Sequence, residues 1–239
     1  MVITEIFRSI QGEGTRAGLP CVFVRLTGCN LRCVWCDTAY AFYGGEKQTL
    51  DQVMERVRVL ASPASAAAGN GGGAAARAGR RIDLVEITGG EPLLQPEVVP
   101  LAARLLAEGY TVMIETSGER YVGVLPREVI KIVDVKCPDS GAADTFNMEN
   151  LTAIDEKDEI KFIIASRRDF EFAREFTAEH KLPSRVRQVI FSPAHPDPGG
   201  KWPGLESREL AEWILAEGLE VRLGLQLHKF IWGADARGV

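Results

Sequence analysis

Seven short apolar runs punctuate the chain: "CVFVRLTG" (21–28), "IDLVEIT" (82–88), "YTVMIET" (110–116), "VIKIVDVK" (129–136), "EIKFIIA" (159–165), "RVRQVIF" (185–191) and "EVRLGLQLH" (220–228). Most are apolar at nearly every position, the pattern of strands covered on both faces. Between them lie stretches of helical period: "TLDQVMERVRVLA", "QPEVVPLAARLLAEG", "SRRDFEFAREFTAEHK" and "SRELAEWILAEG". Thr49, Ser166 and Ser207 stand where N-caps are expected and Pro96 where a first helical turn begins, while Gly109 and Gly218 end two of the helices. Strand followed by helix, repeated, predicts a parallel sheet with right-handed crossovers. About seven strands with fewer helices predict an incomplete parallel β/α barrel, since the closed form takes eight of each.

One segment breaks the pattern. Residues 61–81, "ASPASAAAGNGGGAAARAGRR", are almost entirely Ala, Gly, Ser and Arg with no apolar side chain large enough to anchor them, and read as a mobile surface insertion in a single domain spanning 1–239.

In a parallel barrel the chemistry collects at the C-terminal strand ends. Six runs feed directly into polar, Gly-rich or ligand-type residues: Cys29, "GGEP", "TSG", "CP", "SPAH" and "LHK". Six such endings on one rim predict a site.

Composition narrows what that site holds. The formal charge of -5 and the 46% hydrophobic content describe a globular chain with no bias toward nucleic acid or an anionic membrane, so a small ligand is expected. No leader pattern or membrane-length apolar run is present, and the reading is cytoplasmic. Thiols stay reduced there and five cysteines is an odd count, so metal binding explains them better than disulfides. Cys29, Cys33 and Cys36 form a Cys-x-x-x-Cys-x-x-Cys loop, with Gly28 and Asn30 available for its turns. Three thiolates can hold zinc or an iron–sulfur cluster. A closed zinc site needs a fourth ligand, yet Cys21 and Cys137 are isolated and His180, His195 and His228 lie far apart in sequence. Three ligands leave an open fourth position.

At these residues the chain resembles the radical S-adenosylmethionine superfamily: "CNLRCVWC" is similar to its signature, with Trp35 as the aromatic residue before the last cysteine. The resemblance implies a partial barrel of that type, with a [4Fe-4S] cluster on Cys29, Cys33 and Cys36 and S-adenosylmethionine on the free iron. "TGGEP" (88–92) is similar to the strand end that meets the methionine moiety, where Gly89 and Gly90 permit close backbone approach. The implied cofactor contacts are Trp35, Cys36, Asp37 and Gly90, then Asp134, Val135 and Lys136, then Ser192, Pro193, Ala194 and His195. From the residues alone, Lys136 could equally pair with Asp134, and His195 could be an ordinary loop histidine.

The two ends of the chain carry the resemblance further. "IFRSIQGEG" with "CVFVRLTGCNLRC", and "LGLQLHKFIWG" near the finish, resemble the 7-carboxy-7-deazaguanine synthases. That implies ring contraction of 6-carboxy-5,6,7,8-tetrahydropterin to 7-carboxy-7-deazaguanine with loss of ammonia, on the route to queuosine and other 7-deazapurines. The implied substrate contacts are Ile10, Gln11, Gly12, Arg25 and Thr88, with Glu13, Glu115, Gln226 and His228 added, and Thr38 is implied as a Mg2+ ligand. Gln11, Glu13 and Arg25 provide an amide, a carboxylate and a guanidinium, apt partners for a pterin's polar edge and carboxylate. The reducing partner would be a flavodoxin or ferredoxin, and a homodimer stays open. The chain departs from some members by continuing through "ADARGV", which bears on the C-terminal contact. Two competing readings are a glycyl-radical activating enzyme, which leaves "IQGEG" and "HKFIWG" unexplained, and a non-enzymatic zinc module, which shares only the cysteines.

Overall fold

The computed structural model describes residues 1–63, 80–197 and 200–239. The Ala/Gly insertion expected at 61–81 therefore lies, for residues 64–79, outside the described part.

The described strands are β1 (Val2–Ile10), β2 (Pro20–Leu26), β3 (Glu46–Lys47), β4 (Leu84–Gly89), β5 (Thr111–Thr116), β6 (Ile130–Asp134), β7 (Glu159–Ile164), β8 (Gln188–Pro193) and β9 (Arg222–Leu223). They form one sheet in the order β3-β1-β2-β4-β5-β6-β7-β8-β9. From β2 to β9 every neighbour is parallel, and these strands are the seven expected from the apolar runs. The sheet curls without closing, an incomplete β/α barrel. Two antiparallel strands, β1 and β3, extend it beyond β2 and were not legible as strands.

The helices are α1 (Leu50–Ala61), α2 (Val98–Ala107), α3 (Asn150–Ala153), α4 (Arg167–Glu179), α5 (Ser207–Glu217) and α6 (Leu227–Trp232). Thr49 caps α1 in a reciprocal capping box with Gln52, and the Ser166 hydroxyl accepts from the Asp169 amide at the start of α4. Two other expected boundaries are corrected. α2 begins at Val98, so Pro96 precedes the helix and Pro100 sits in its first turn. Ser207 is the first residue of α5, following Glu206, whose side chain makes no capping bond. The run 220–228 is also not one strand, because β9 stops at Leu223 and the chain turns into α6. Gly218 does end α5, in the left-handed conformation at φ 58°.

Each parallel strand presents one side to the helices and the other to the barrel interior. The helix-facing side supplies the main core, in which Val22, Val24, Ile87, Ile114 and Val133 meet Val53, Met54, Leu101 and Leu105. Phe162, Phe170 and Phe191 are fully buried in the same core and meet edge to face, Phe162 with Phe191 at 5.4 Å and Phe170 with Phe191 at 5.9 Å. The interior is apolar only in its lower part, where Cys21, Phe23, Leu84, Met113, Ile130 and Ile132 pack together. Above them the inward positions turn polar: Arg25, Glu86, Thr88, Glu115, Asp134 and Lys161 face a common cavity. One irregularity aligns β1 with it. A bulge between Ile3 and Glu5 places Ile3 opposite Leu26 in the helix-side core and Glu5 opposite Arg25.

Candidate active site

The cavity measures about 340 Å³ and opens at the C-terminal strand ends. Cys29, Cys33 and Cys36 border it from the loop after β2, each half-buried. The loop is held by its own backbone and by Arg32. Gly28 turns the chain at φ 100°, a conformation that favours glycine, and its amide donates to the Ala41 carbonyl at 2.8 Å. Arg32 donates to the Cys29 and Leu31 carbonyls at 2.8 and 2.7 Å, while its guanidinium lies 4.2 Å from the Phe42 ring centroid. Burial pushes the Cys29 and Cys33 thiols up, and the Lys136 ammonium opposes this at both.

The glycines of "TGGEP" have a role the sequence did not separate from ligand approach. A Cβ at Gly90 would lie 2.3 Å from the Gly28 carbonyl oxygen and 2.7 Å from Cys29 Cβ. One at Gly89 would lie 2.5 Å from the Leu26 carbonyl oxygen. The end of β4 is thus laid directly on the cysteine loop, and the Glu91 amide donates to Gly28 O at 2.8 Å. The Glu91 carboxylate, fully buried, accepts from the Leu93 amide at 2.9 Å, from the Thr116 hydroxyl and from the Ser117 amide and hydroxyl at 2.7 Å, which ties β5 to the same corner.

On the side assigned to the cofactor, Trp35, Asp37, Gly90, Asp134, Lys136, Pro193 and His195 line the cavity. Val135, Ser192 and Ala194 do not: they are buried, and the amides of Val135 and Ala194 donate to the Lys161 and Ile164 carbonyls, each at 2.8 Å. Cys137, whose "CP" ending counted among the six on the rim, is buried in the core instead. Lys136 does pair with Asp134, at 2.6 Å, from its place in the cavity wall. His195 is exposed, and its ring Nδ1 sits 3.0 Å from the Pro196 carbonyl. Asp134 Oδ1 is buried and accepts no hydrogen bond from the chain, the nearest cation being the Lys161 ammonium at 3.5 Å. An unfilled buried acceptor beside the cysteine loop fits a ligand that brings donors, as the amino group or ribose of S-adenosylmethionine would. Among the described residues no three His, Cys, Asp or Glu side chains gather as tightly as a single metal ion requires.

The residues assigned to substrate converge from the opposite wall. Ile10, Gln11, Gly12, Glu13, Arg25, Thr88, Glu115, Gln226 and His228 all line the cavity. Gln11 is fixed at both ends of its amide: Nε2 donates to Glu86, and Oε1 accepts from the Glu13 amide at 2.9 Å. Arg25 is held by its Nε edge, 2.8 Å from Glu5 Oε1, which also accepts from the Tyr40 hydroxyl at 2.7 Å. The Glu5 contact is a mount that leaves both terminal nitrogens of the guanidinium for a ligand carboxylate. Gly12 makes room for His228: a Cβ there would sit 2.4 Å from His228 Nδ1. The Leu227 amide closes the contact on Gly12 O at 3.0 Å. Gln226 Nε2 reaches Glu13 at 2.9 Å and Asp37 at 3.1 Å, and Lys229 pairs with Asp37 at 3.1 Å.

Sequence reasoning missed Glu5, Tyr40, Glu86, Lys161 and Lys229. For Glu86 and Lys161 a signal existed, since a charge in the middle of a strand covered on both faces must find a partner. Glu86 is buried, and desolvation followed by the nearby Glu115 and Glu13 pushes its carboxyl well above the usual range. An acid held neutral in the fold stabilises at low pH and loses that contribution as pH rises through its folded value. Glu86→Gln keeps an acceptor for Gln11 and removes the ionisation. Its melting temperature should therefore fall less than the parent's as pH rises above the ordinary carboxylate range, by ~2–4 °C per kcal/mol recovered. Scanning calorimetry on anaerobic protein reads this, and parallel slopes would show an ionised Glu86.

Comparison with known proteins agrees with this geometry. Residues 23–171 match the model of the radical SAM superfamily. A 7-carboxy-7-deazaguanine synthase of Koribacter versatilis is 51% identical over 245 residues, covering 100% of both chains. The synthase of Chlorobaculum tepidum is 39% identical, over 99% of this chain and 96% of that one. The crystal structure of QueE from Escherichia coli superimposes with a TM-score of 0.63 at 28% identity, covering 94% of this chain and 93% of that one. Relatives matched along their whole length leave no place for the zinc-module and glycyl-radical-activase readings. Matched over more than half its length by that superfamily and along its whole length by these synthases, the chain belongs to the radical SAM superfamily and, within it, to the 7-carboxy-7-deazaguanine synthases.

Proposed function

We propose that the chain converts 6-carboxy-5,6,7,8-tetrahydropterin to 7-carboxy-7-deazaguanine with release of ammonia, as a step in 7-deazapurine biosynthesis in the cytoplasm. The observation that carries this is the placement of Gln11, Glu13 and Arg25 in the same cavity as Cys29, Cys33 and Cys36. No helix of the described residues is long and apolar enough to cross a membrane.

Bound together, the [4Fe-4S] cluster and S-adenosylmethionine supply the hydrogen-abstracting radical that starts the rearrangement. The three cysteines would hold the cluster, and Asp134 and Lys136 border the space for the cofactor. The chain's own task is orientation. Gln11, locked at both ends, presents its remaining amide hydrogen and lone pair to one edge of the pterin. Glu13 and Glu115 accept from ring N–H groups, and Arg25 on its Glu5 mount takes the carboxylate in a two-point contact. The apolar layer beneath them, from Cys21 to Ile132, keeps water from the floor. Reducing equivalents would come from a low-potential donor such as a flavodoxin or ferredoxin. Anaerobic, reconstituted protein incubated with the carboxypterin, S-adenosylmethionine and a reductant should form a deazaguanine and ammonia in equal amounts. Cofactor cleavage with no deazaguanine would overturn the assignment.

Thr38 is proposed as the one protein ligand of a Mg2+ ion. Its hydroxyl lines the cavity 3.7 Å from Cys36 Sγ. The neighbouring Asp37 is engaged by Lys229 and Gln226. Magnesium commonly takes few protein ligands and completes its octahedron from substrate and water. Thr38→Val should reduce turnover by about tenfold and flatten its response to added magnesium, whereas Thr38→Ser retains most of both. Cluster content should be equal in all three proteins. Superimposed magnesium titrations for valine variant and parent would remove Thr38 from the site.

A further inference from the structure

Lys161 stands in the middle of β7 with its side chain 6% exposed. Its ammonium meets three carboxylates: Glu13 at 3.0 Å, Glu115 in closer contact, and Asp134 at 3.5 Å. It donates hydrogen bonds to Glu13 and Glu115 and reaches Asp134 Oδ1 through charge alone. The charged groups around it come from every wall of the cavity: Glu13 from the loop after β1, Arg25 from β2, Glu86 from β4, Glu115 from β5, and Asp134 with Lys136 from β6 and its end. The three partners belong to different halves of the site. Glu13 and Glu115 face the substrate end, and Asp134 borders the cofactor end.

We propose that Lys161 is a positioning residue that clamps Glu13 and Glu115 together as an ionised acceptor pair for the substrate and, through Asp134, sets that pair relative to the cofactor strand. This rests on the assignment of the cavity to a pterin. Two carboxylates held so close repel each other, and one would take a proton unless a cation sits between them. A protonated carboxyl becomes a donor and meets ring N–H groups badly, so the clamp selects a ligand edge rich in donors. The titration tendencies differ between the two carboxylates. Burial works to raise Glu13, yet Lys161 and Gln226 outweigh it, whereas at Glu115 burial still prevails over Lys161. Glu115 is therefore the carboxylate most dependent on the clamp.

Lys161→Met, close in length and uncharged, removes the cation. On anaerobic holoenzyme with cluster content verified, KM for 6-carboxytetrahydropterin near neutral pH should rise at least about tenfold, and the acid limb of kcat/KM should move up by about one pH unit. The direction follows from the sign of the interaction, because without the cation the carboxylates take protons at higher pH. The dissociation constant of S-adenosylmethionine should change less than about threefold, since Asp134 keeps Lys136. Lys161→Arg should recover much of the lost affinity. Should Lys161→Met not fold, Lys161→Met with Glu115→Gln restores the charge balance and is compared with Glu115→Gln alone; the double variant should bind the pterin at least about tenfold more weakly. A KM and pH profile superimposed on the parent's, or equal losses of pterin and S-adenosylmethionine affinity, would overturn the proposal. Failure of the parent to form a deazaguanine would instead count against the ring-contraction reading. In that event infrared titration of the carboxyl band, without ligand, reads the clamp directly: the variant should take up protons at higher pH than the parent, and identical titrations would refute it.

Discussion

Alanine at Cys29, Cys33 or Cys36 should leave a protein that retains little iron and sulfide, is colourless after reconstitution and has no measurable turnover. All three thiols face the cavity from one loop, and a cluster tied by three ligands cannot lose one and stay bound tightly. Cys21→Ser and Cys137→Ser should keep full iron content. Both residues are buried in apolar packing, Cys21 in the lower barrel interior and Cys137 in the helix-side core. Burial and the adjacent Glu86 push the Cys21 thiol far up, and Cys137 is raised chiefly by burial, so neither is a ready thiolate for a metal. Iron and sulfide analysis decides the matter, and loss of iron from either outlying variant would require a different ligand set.

Gly90→Ala should be nearly as damaging by a different route. The new methyl would lie 2.3 Å from a backbone oxygen and 2.7 Å from Cys29 Cβ, and neither is the end of a flexible side chain. Gly90 needs no unusual backbone angle, so the whole effect is steric. Strand and loop have to separate, at a cost of about 1–3 kcal/mol for an overpacked site. Because the loop that moves carries the cluster ligands, cluster retention should fall further than the melting temperature alone implies. Gly44→Ala is the comparison, since a Cβ there meets nothing within 4 Å and only its positive φ is disturbed. Equal cluster content in Gly90→Ala and the parent would show that β4 does not hold the loop in place.

The parallel strands could be read from composition because burial on both faces erases polar positions, and α1 and α4 announced themselves through caps that the structure forms. β1 was hidden by its own periodicity. Val2, Ile3, Ile6, Phe7 and Ile10 fall at spacings of one, three, one and three, nearer to a helix than to an alternating strand. The cavity rim was visible in the strand endings, but the polar layer beneath it was not. Glu86 and Lys161 each lie inside an apolar run, and their partners are distant in sequence: Gln11 for the first, Glu13 and Glu115 for the second. Such pairs become visible only when the sheet order is known. Arg25 was legible as a candidate substrate contact but its mount was not, because Glu5 was not yet on a strand.

The extra residue near the start of β1 shifts the phase of the strand. After it, Glu5, Phe7 and Ser9 pair with Arg25, Phe23 and Cys21 and share their side of the sheet, whereas Ile3, an even step earlier, pairs with Leu26 on the other. The two segments are therefore out of parity, and their tolerance of length change differs. Removing Thr4 brings Ile3 and Glu5 into regular alternation with both partners unchanged, at the loss of one contact, its hydroxyl 2.7 Å from that of Thr27. Removing Ile6 instead inverts the parity of Glu5 and swings a carboxylate into the aliphatic core while Arg25 loses its mount. A deletion two positions further along a nine-residue strand thus separates a silent change from a ruinous one.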